Sequence, residues 1–431
     1  CIRDRPNAAL YSAADLTIAG TGELIVDANY NDGIASKDGL VIESGTLVVS
    51  AADDGIRGKD YVIVNGGAIT VDAGGDGNTS AHDEDAELGY VLITDGVGYV
   101  ASGDDGVQAA TDILLTGGWL TVDAGRDSDD GRGVLGDVMV VISGVVIDVA
   151  ATDDALLSNN LITIDGGDLA LASGDDGIHA DLLVTVNGGS ITITGSYEGI
   201  EAEVIEINDG FIDITSSDDG LNATGADTAT AAEASATDAT AVEAQNRDRG
   251  PGGGGGGAAG DYYVYINGGT IVITITGDLN EQGDGIDSNG YLEMTGGVLV
   301  INGPTDTRNS ALDYNGNFEM SGGLIVGTNV DGVHSSGLGD GSTQASLYLT
   351  SDSIIDGGTV VNIETMDGES LITYETVNDF SVIVFSSPDL IDGDQYEVYL
   401  GGTVTGDSST GLYEDSAYSS GDLAGTVTAS L

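Results

Sequence analysis

Much is scarce in this sequence. Among 431 residues there is one cysteine, Cys1, so no disulfide can close within the chain. Proline occurs four times, phenylalanine four times and tryptophan once. Lys and Arg total 10, with lysine only at Lys37 and Lys59, against 72 acids, for a formal net charge of −62. That balance excludes nucleic acid as a partner, because phosphate contacts need Lys and Arg, and it disfavours an anionic membrane surface for the same reason. No apolar run approaches the roughly 18 residues that cross a bilayer. His82, His179 and His334 are scattered, without the spacing of a zinc site or a catalytic triad. The glycine tract 252–257 lacks the following Lys-Ser/Thr of a phosphate loop.

What is present is glycine (70), β-branched residues and aspartate, a strand-and-turn composition. Of the 72 acids only 18 are Glu, which leaves 54 Asp. Asp is favoured in tight turns and compact oxygen-ligand sites, so the excess points to a positional role. A short unit recurs along the chain. Aligned on the glycine after an acid pair, it gives Gly33, Gly55, Gly106, Gly131, Gly177, Gly199, Gly220, Gly285 and Gly332, with Ala155 and Ala311 in the same slot. The steps 131→155→177→199→220 are 24, 22, 22 and 21 residues. Each unit continues with an alternating stretch ("LLVTV"), a Gly-rich turn ("NGG", 187–189) and a second alternating stretch ("SITIT"). Three short strands in about 22 residues predict one coil of a parallel β-helix, since helical and propeller repeats are longer. The chain is expected to be all-β: a right-handed parallel β-helix of roughly 11–14 coils over 1–344, then a small C-terminal β module over 345–431. The helix would carry an acidic loop at 74–89 and a low-complexity, glycine-rich insertion at 224–260. The apolar residue after each slot (Ile56, Val107, Ile178, Ile200, Leu221, Ile286, Val333) would form one core column.

In-register coils stack the acid pairs about 4.8 Å apart. At that distance two charges repel by about 0.9 kcal/mol at ε ≈ 80 and about 3.5 at ε ≈ 20. Over about ten coils this rivals a stability on the order of 10 kcal/mol. Arg and Lys are too few to compensate, and exposed aspartates do not hold protons at neutral pH. Several Ca²⁺ ions between coils are the economical solution, since calcium takes six to eight oxygens in irregular geometry and the slot glycine is expected to permit the sharp bend. The candidate ligands are Asp32, Asp53, Asp54, Asp104, Asp105, Asp129, Asp130, Asp153, Asp154, Asp175, Asp176, Glu198, Asp218, Asp219, Asp284 and Asp331. Acids after the slot would complete the shells: Asp60, Asp181, Glu201, Asp287 and Asp313. The competing reading is a set of solvated turn acids with diffuse counterions.

The units "SGDDGIHADLLVTVNGGSITITGSYEGIEAEVIEINDGFIDITSSDDGLNA" (173–223), the glycine-rich stretch at 251–257 and the tail "VIVFSSPDLIDGDQYEVYLGGTVTGDSSTGLYEDSAYSSG" (382–421) resemble a known family. It comprises bacterial extracellular carbohydrate-binding proteins with a right-handed, calcium-loaded parallel β-helix, similar in fold to polysaccharide lyases. The resemblance implies an exported, calcium-binding protein able to bind plant-type polysaccharides, with no established catalysis. Here the chain is more acidic and poorer in lysine than such relatives, and "DDAL" and "NSAL" lack the slot glycine. Three functions follow. The first is a non-catalytic structural protein whose coils stack head to tail with other copies into a surface or matrix fibre. The second is a calcium-dependent cell-surface binder of cellulose- or pectin-type polysaccharide. In it Trp119 either faces outward as a sugar platform or packs into the core. The third, a polysaccharide lyase, would need a Lys or Arg base beside the metal; Arg57, Lys59, Arg132 and Arg308 read more simply as counter-charges. The expected location is extracellular, with a membrane reached only through a lipid on Cys1, in the manner of a bacterial lipoprotein.

Overall fold

The computed structural model describes residues 7–225, 259–277, 282–332, 337–406, 408, 410–413, 417–419 and 421–431. Cys1, Val333, His334 and residues 226–258 of the expected insertion lie outside the described residues. Each repeat forms three short strands, from Ala8–Ser12, Leu16–Ile18 and Glu23–Ala28 in turn 1 to Leu312–Tyr314, Phe318–Met320 and Leu324–Asn329 in turn 12. Every strand pairs in parallel with its equivalents one turn before and after, so twelve turns stack into a β-solenoid. The first and second strand positions merge into one sheet of 22 strands, because Ile178–Val186 and Ile200–Ile207 run unbroken around the corner between them. The third position forms a sheet of 14, whose last two strands are antiparallel additions.

Alternation drives the packing. Ala68–Ala73 exposes Ala68, Thr70 and Asp72 and buries Ile69, Val71 and Ala73, and the same period in every turn sends one residue set inward. The inward Val, Ile and Leu form a single core along the solenoid axis. The column after the slot runs Ile34, Ile56, Asn78, Val107, Val134, Leu156, Ile178, Ile200, Leu221, Ile286, Leu312.

This register revises two expectations and fixes the turn count of a third interval. First, the slot glycine of turn 6 is Gly133, not Gly131: Val134 stacks between Val107 and Leu156, so Arg132 holds the acid position and Asp129 and Asp130 stand exposed on a longer loop. Second, the interval from Gly55 to Gly106 contains a full turn, whose slot is Gly77. The stretch 74–89 is therefore not all loop; it holds the strand Asn78–Ser80. Third, Leu221 pairs directly with Ile286, so the interval from 220 to 285 adds one turn only. The last stacked slot is Ala311, and Gly332 lies beyond it.

The slot glycine is needed for space rather than for bending. None of these glycines has positive φ; that conformation falls on the glycine just before the third strand in most turns, such as Gly67 (105°) and Gly189 (101°). A Cβ at Gly177 would lie 2.7 Å from the carbonyl oxygen of Gly199 and 2.7 Å from Ile193 Cδ1. Val or Ile stands opposite every slot glycine from Gly33 to Gly285, on the third strand of the same turn. Where the slot is alanine that partner changes: Leu171 occupies the column position for Ala155, and Gly327 the position for Ala311, where an added Cβ would lie 3.2 Å from Ala311 Cβ. The β-branch and the slot side chain compete for one volume, so "DDAL" and "NSAL" are paired exchanges rather than broken units.

The described residues of 345–431 form strands joined by turns and irregular segments, with no helix. Phe380–Ser386 pairs antiparallel with Leu324–Asn329 and covers the C-terminal edge of the third-position sheet. A second core lies on the outer face of that sheet, where Val272, Val300 and Val326 meet Leu347, Ile363, Tyr374 and Phe385. Asn378 Nδ2 fastens the two parts by donating to the carbonyls of Ile275 (2.8 Å), Asn302 (3.1 Å) and Gly303 (2.9 Å).

Candidate metal centre

One local device builds the acid ladder. In several turns the residue before the slot offers a carboxylate whose Oδ1 accepts the backbone N–H of its equivalent one turn further on. Asp54 accepts from Asp76 (3.3 Å), Asp76 from Asp105 (3.3 Å), Asp105 from Arg132 (2.9 Å), Asp154 from Asp176 (3.0 Å) and Asp219 from Asp284 (2.6 Å). The short Asp side chain suits this reach, which gives the excess of Asp over Glu a physical cause. Asp76 was missed in the sequence because its unit reads "GDGN", with Asn78 where the apolar residue is expected; the 22-residue step from Gly55 to Gly77 was the available signal.

The second oxygen meets the outward residue three positions on. Asp54 Oδ2 faces Arg57 Nη1 (3.5 Å), Asp105 Oδ2 accepts from Gln108 Nε2 (3.0 Å) and Asp176 Oδ2 lies 3.2 Å from His179 Nδ1. That outward column changes character along the solenoid: Ala35, Arg57, Thr79, Gln108, Leu135, Leu157 and His179 are followed by Glu201, Asn222, Asp287 and Asp313. In turns 2–8, then, the column adds no acid, and Arg57, Arg132 (to Asp153, 3.0 Å) and His179 act as counter-charges. From turn 9 it adds acids in turns 9, 11 and 12, with Asn222 between them in turn 10.

The clusters begin within turns 7 and 8 and continue beyond them. Oxygens of Asp153, Asp154 and Asp175 approach within 4.8 Å of one another, and so do those of Asp176, Glu198 and Glu201, of Glu198, Asp218 and Asp219, and of Asp284, Asp287 and Asp313. Asp154, Asp176 and His179 form a fifth group. Sharing of Asp154, Asp176 and Glu198 makes the clusters continuous from Asp153 to Asp219. Among the described residues no Lys or Arg forms an ion pair with Glu198, Asp219, Asp284 or Asp287. The remaining sequence candidates lie elsewhere. Asp53 and Asp104 are exposed beside the ladder, Asp60 holds His82 (2.7 Å), Asp181 sits 3.7 Å from His179 Nε2, and Asp331 is exposed past the last turn. Asp32 begins the ladder, held by Asn7 (2.6 Å) and Asn31 (2.9 Å).

Burial changes the protonation argument. It pushes the Asp32 and Asp105 carboxyls up to about 6 and those of Asp76, Asp154 and Asp287 up to about 7. Burial first, and neighbouring carboxylates second, hold Glu198 and Asp219 well above the ordinary range; burial does the same to Asp176 and Asp284. The ladder without metal therefore carries protons near neutrality, contrary to the expectation for exposed aspartates. Burial opposes charge on His179, but its bond to Asp176 and the charges of Glu201, Asp176 and Asp154 outweigh it, raising its pKa to about 10. A cationic His179 neutralises its group and is a poor metal ligand.

The donor set fits calcium. The four groups without His179 offer only carboxylate oxygens, while zinc would seek Cys or His. Asn222 adds a neutral oxygen: it is 8% exposed, its Nδ2 donates to Glu198 Oε2 (2.8 Å), and its buried Oδ1 has no hydrogen-bond partner.

The comparisons with known proteins bear on the solenoid as a whole. A relative from Acetivibrio thermocellus, a carbohydrate-binding domain-containing protein, is 42% identical over 132 residues, which are 31% of this chain and 46% of the relative. The chain thus matches about half the length of that relative. No solved structure matches. A family model described as carbohydrate-binding domain-containing protein matches residues 2–177 and again 175–307. With well over half its length so matched, the chain belongs to the carbohydrate-binding domain-containing family.

Proposed function

We propose that this chain is a non-catalytic, extracellular carbohydrate-binding solenoid loaded with several Ca²⁺ ions along turns 7–12. The observation that carries the reading is the continuous run of carboxylate clusters from Asp153 to Asp219, most of whose members are buried. Asp153, Asp154, Asp175, Asp176, Glu198, Glu201, Asp218 and Asp219 would hold one series of ions, and Asp284, Asp287 and Asp313 another. Calcium would supply charge neutralisation between turns and, where a coordination position stays open, a bridge to the carboxylates or hydroxyls of a polysaccharide. Family membership supports carbohydrate as the ligand class. Among the described residues, the absence of catalysis is supported by where the candidate bases stand: Arg57, Arg126, Arg132 and Arg308 are each tied to an aspartate, and Lys59 is exposed in turn 3, away from the clusters of turns 7–12.

Metal analysis after dialysis, calorimetric Ca²⁺ titration and retention on polygalacturonate with Ca²⁺ or EDTA test this. Several tightly bound ions and Ca²⁺-dependent retention are expected; a metal-free protein that neither takes up Ca²⁺ nor is retained defeats it. Head-to-tail assembly into a fibre is the second reading. Among the described residues the strands of turn 1 pair with those of turn 2, and shared Ca²⁺ between copies would continue the carboxylate stack. Phe380–Ser386 covers the opposite edge of the third-position sheet, so that sheet cannot simply continue into the next copy. Electron microscopy with and without chelator separates the two, since only the fibre reading requires long assemblies under calcium.

A further inference from the structure

Turn 4 breaks the core pattern twice. The column after the slot is apolar in every turn from Leu10 to Leu312 except at Asn78, which stacks between Ile56 and Val107. The inward column of the third strand is Leu or Ile in every turn from Leu24 to Ile325 except at Gly98, between Ile69 and Leu120. Both exceptions face one cavity, lined deep inside by Asn78, Val64, Ile69 and Ile93 and at the mouth by Asp95, Val97 and Trp119. Its inner space is small, ≈ 20 Å³, enough for about one oxygen-sized group. Asn78 is 4% exposed, and its Oδ1 is buried without a hydrogen-bond partner.

Each exception is costly by itself. An unpartnered buried amide oxygen costs about 1–3 kcal/mol, and a missing Leu or Ile side chain leaves a void of comparable or greater cost. Two such losses in one turn, meeting in one cleft, mark a place where the fold has given up stability locally. The mouth shows what the cleft is shaped for. Trp119 is 57% exposed and Val97 60%, side by side on adjacent strands, with Tyr99 at 46% on the same face. Tyr61 and Tyr90, or Tyr263 and Tyr291, cover one another by stacking at 5.5 and 5.4 Å, whereas Trp119 has no ring neighbour among the described residues. A flat aromatic face beside a buried, unpaired acceptor suits a ligand with one flat CH face and a projecting hydroxyl.

We propose that turn 4 carries a subsite for a neutral β-linked glucan, in which a pyranose ring lies on Trp119 and its hydroxymethyl group reaches into the cleft toward Asn78 Oδ1. An all-equatorial pyranose has the flat CH face, and its hydroxymethyl oxygen matches the size of the inner space. Asp95 at the mouth, on a chain of net charge −62, disfavours an acidic sugar here. The subsite lies in turns 4–5, apart from the acid clusters of turns 7–12, and rests on the reading that the chain binds carbohydrate.

Trp119 is the single tryptophan, so its fluorescence reads this site directly. The full chain in Ca²⁺ is titrated with cellohexaose, and retention on amorphous cellulose and on polygalacturonate is measured in parallel. A saturable change in emission is expected. Asn78→Val should weaken the hexaose by about five-fold, one hydrogen bond's worth, without lowering the melting temperature. Gly98→Ala should weaken it too, because the new Cβ enters the cleft 2.9 Å from Leu120 Cδ1, and Trp119→Ala should lose cellulose retention. Silent fluorescence, or variants that bind like the wild type, overturns the subsite and leaves the cleft to a buried water. If polygalacturonate is still retained in that case, the carbohydrate-binding function stands without this subsite; if neither polymer is retained, that broader reading fails as well.

Discussion

Removing calcium should invert the way stability depends on pH. Burial lifts the carboxyls of Asp154 and Asp287 from the ordinary aspartate range to about 7 in the fold. A carboxyl whose folded pKa lies above its unfolded value costs nothing below pH 4. It then destabilises progressively as pH climbs toward 7, because the unfolded chain ionises first. A rise of about three units corresponds to about 4 kcal/mol per group. Asp154 and Asp287 sit in separate clusters, so together they approach a total stability on the order of 10 kcal/mol. The metal-free protein should therefore melt lower at pH 8 than at pH 5, by on the order of 10 °C. Bound Ca²⁺ selects the ionised carboxylates, so the loaded protein should hold or gain stability over the same window and release protons when Ca²⁺ is added near pH 6. Thermal melts at pH 5 and 8, each in EDTA and in Ca²⁺, read both effects. Solenoid turns interact chiefly with their neighbours, so hydrogen exchange in EDTA at pH 8 should loosen turns 7–12 before turns 2–6. A metal-free melting temperature that rises from pH 5 to pH 8 would refute the reasoning.

Three further outcomes follow from single contacts. Asp219→Asn keeps an oxygen for the Asp284 N–H but removes a buried charge; at pH 8 it should raise the metal-free melting temperature while shrinking the gain from Ca²⁺, opposite signs that calorimetry separates. Arg132→Gln strips Asp153 of its partner at 3.0 Å and should cost about 2 kcal/mol in metal-free denaturant unfolding at pH 8, less in Ca²⁺. Gly177→Ala should cost about 1–3 kcal/mol by crowding Ile193, and adding Ile193→Leu should recover part of it, as the natural Ala155–Leu171 pair indicates; a double-mutant cycle with no coupling would contradict the exchange.

What the sequence determined by itself was the repeating part. A period of about 22 residues, strand alternation and a glycine after an acid suffice for an all-β solenoid, because each turn repeats the same local solution. Eight of the ladder residues, Asp32, Asp54, Asp105, Asp154, Asp176, Glu198, Asp219 and Asp284, were legible in that way. Tertiary structure decided the rest. In turn 6 the letters favour "DDGR" around Gly131, yet Val134 must fill the core column, so the chain extrudes two residues and Arg132 takes the acid position. In turn 4 an inward Asn hid both Asp76 and its turn from an alignment that expected Ile or Val. Whether stacked acids repel or hold protons depends on burial, which no spacing reports, and whether Asn78 and Gly98 share one cleft depends on the fold bringing two strands, 20 residues apart in the chain, onto facing walls of the same turn. Local pattern fixes what each turn is; stacking fixes which residues meet.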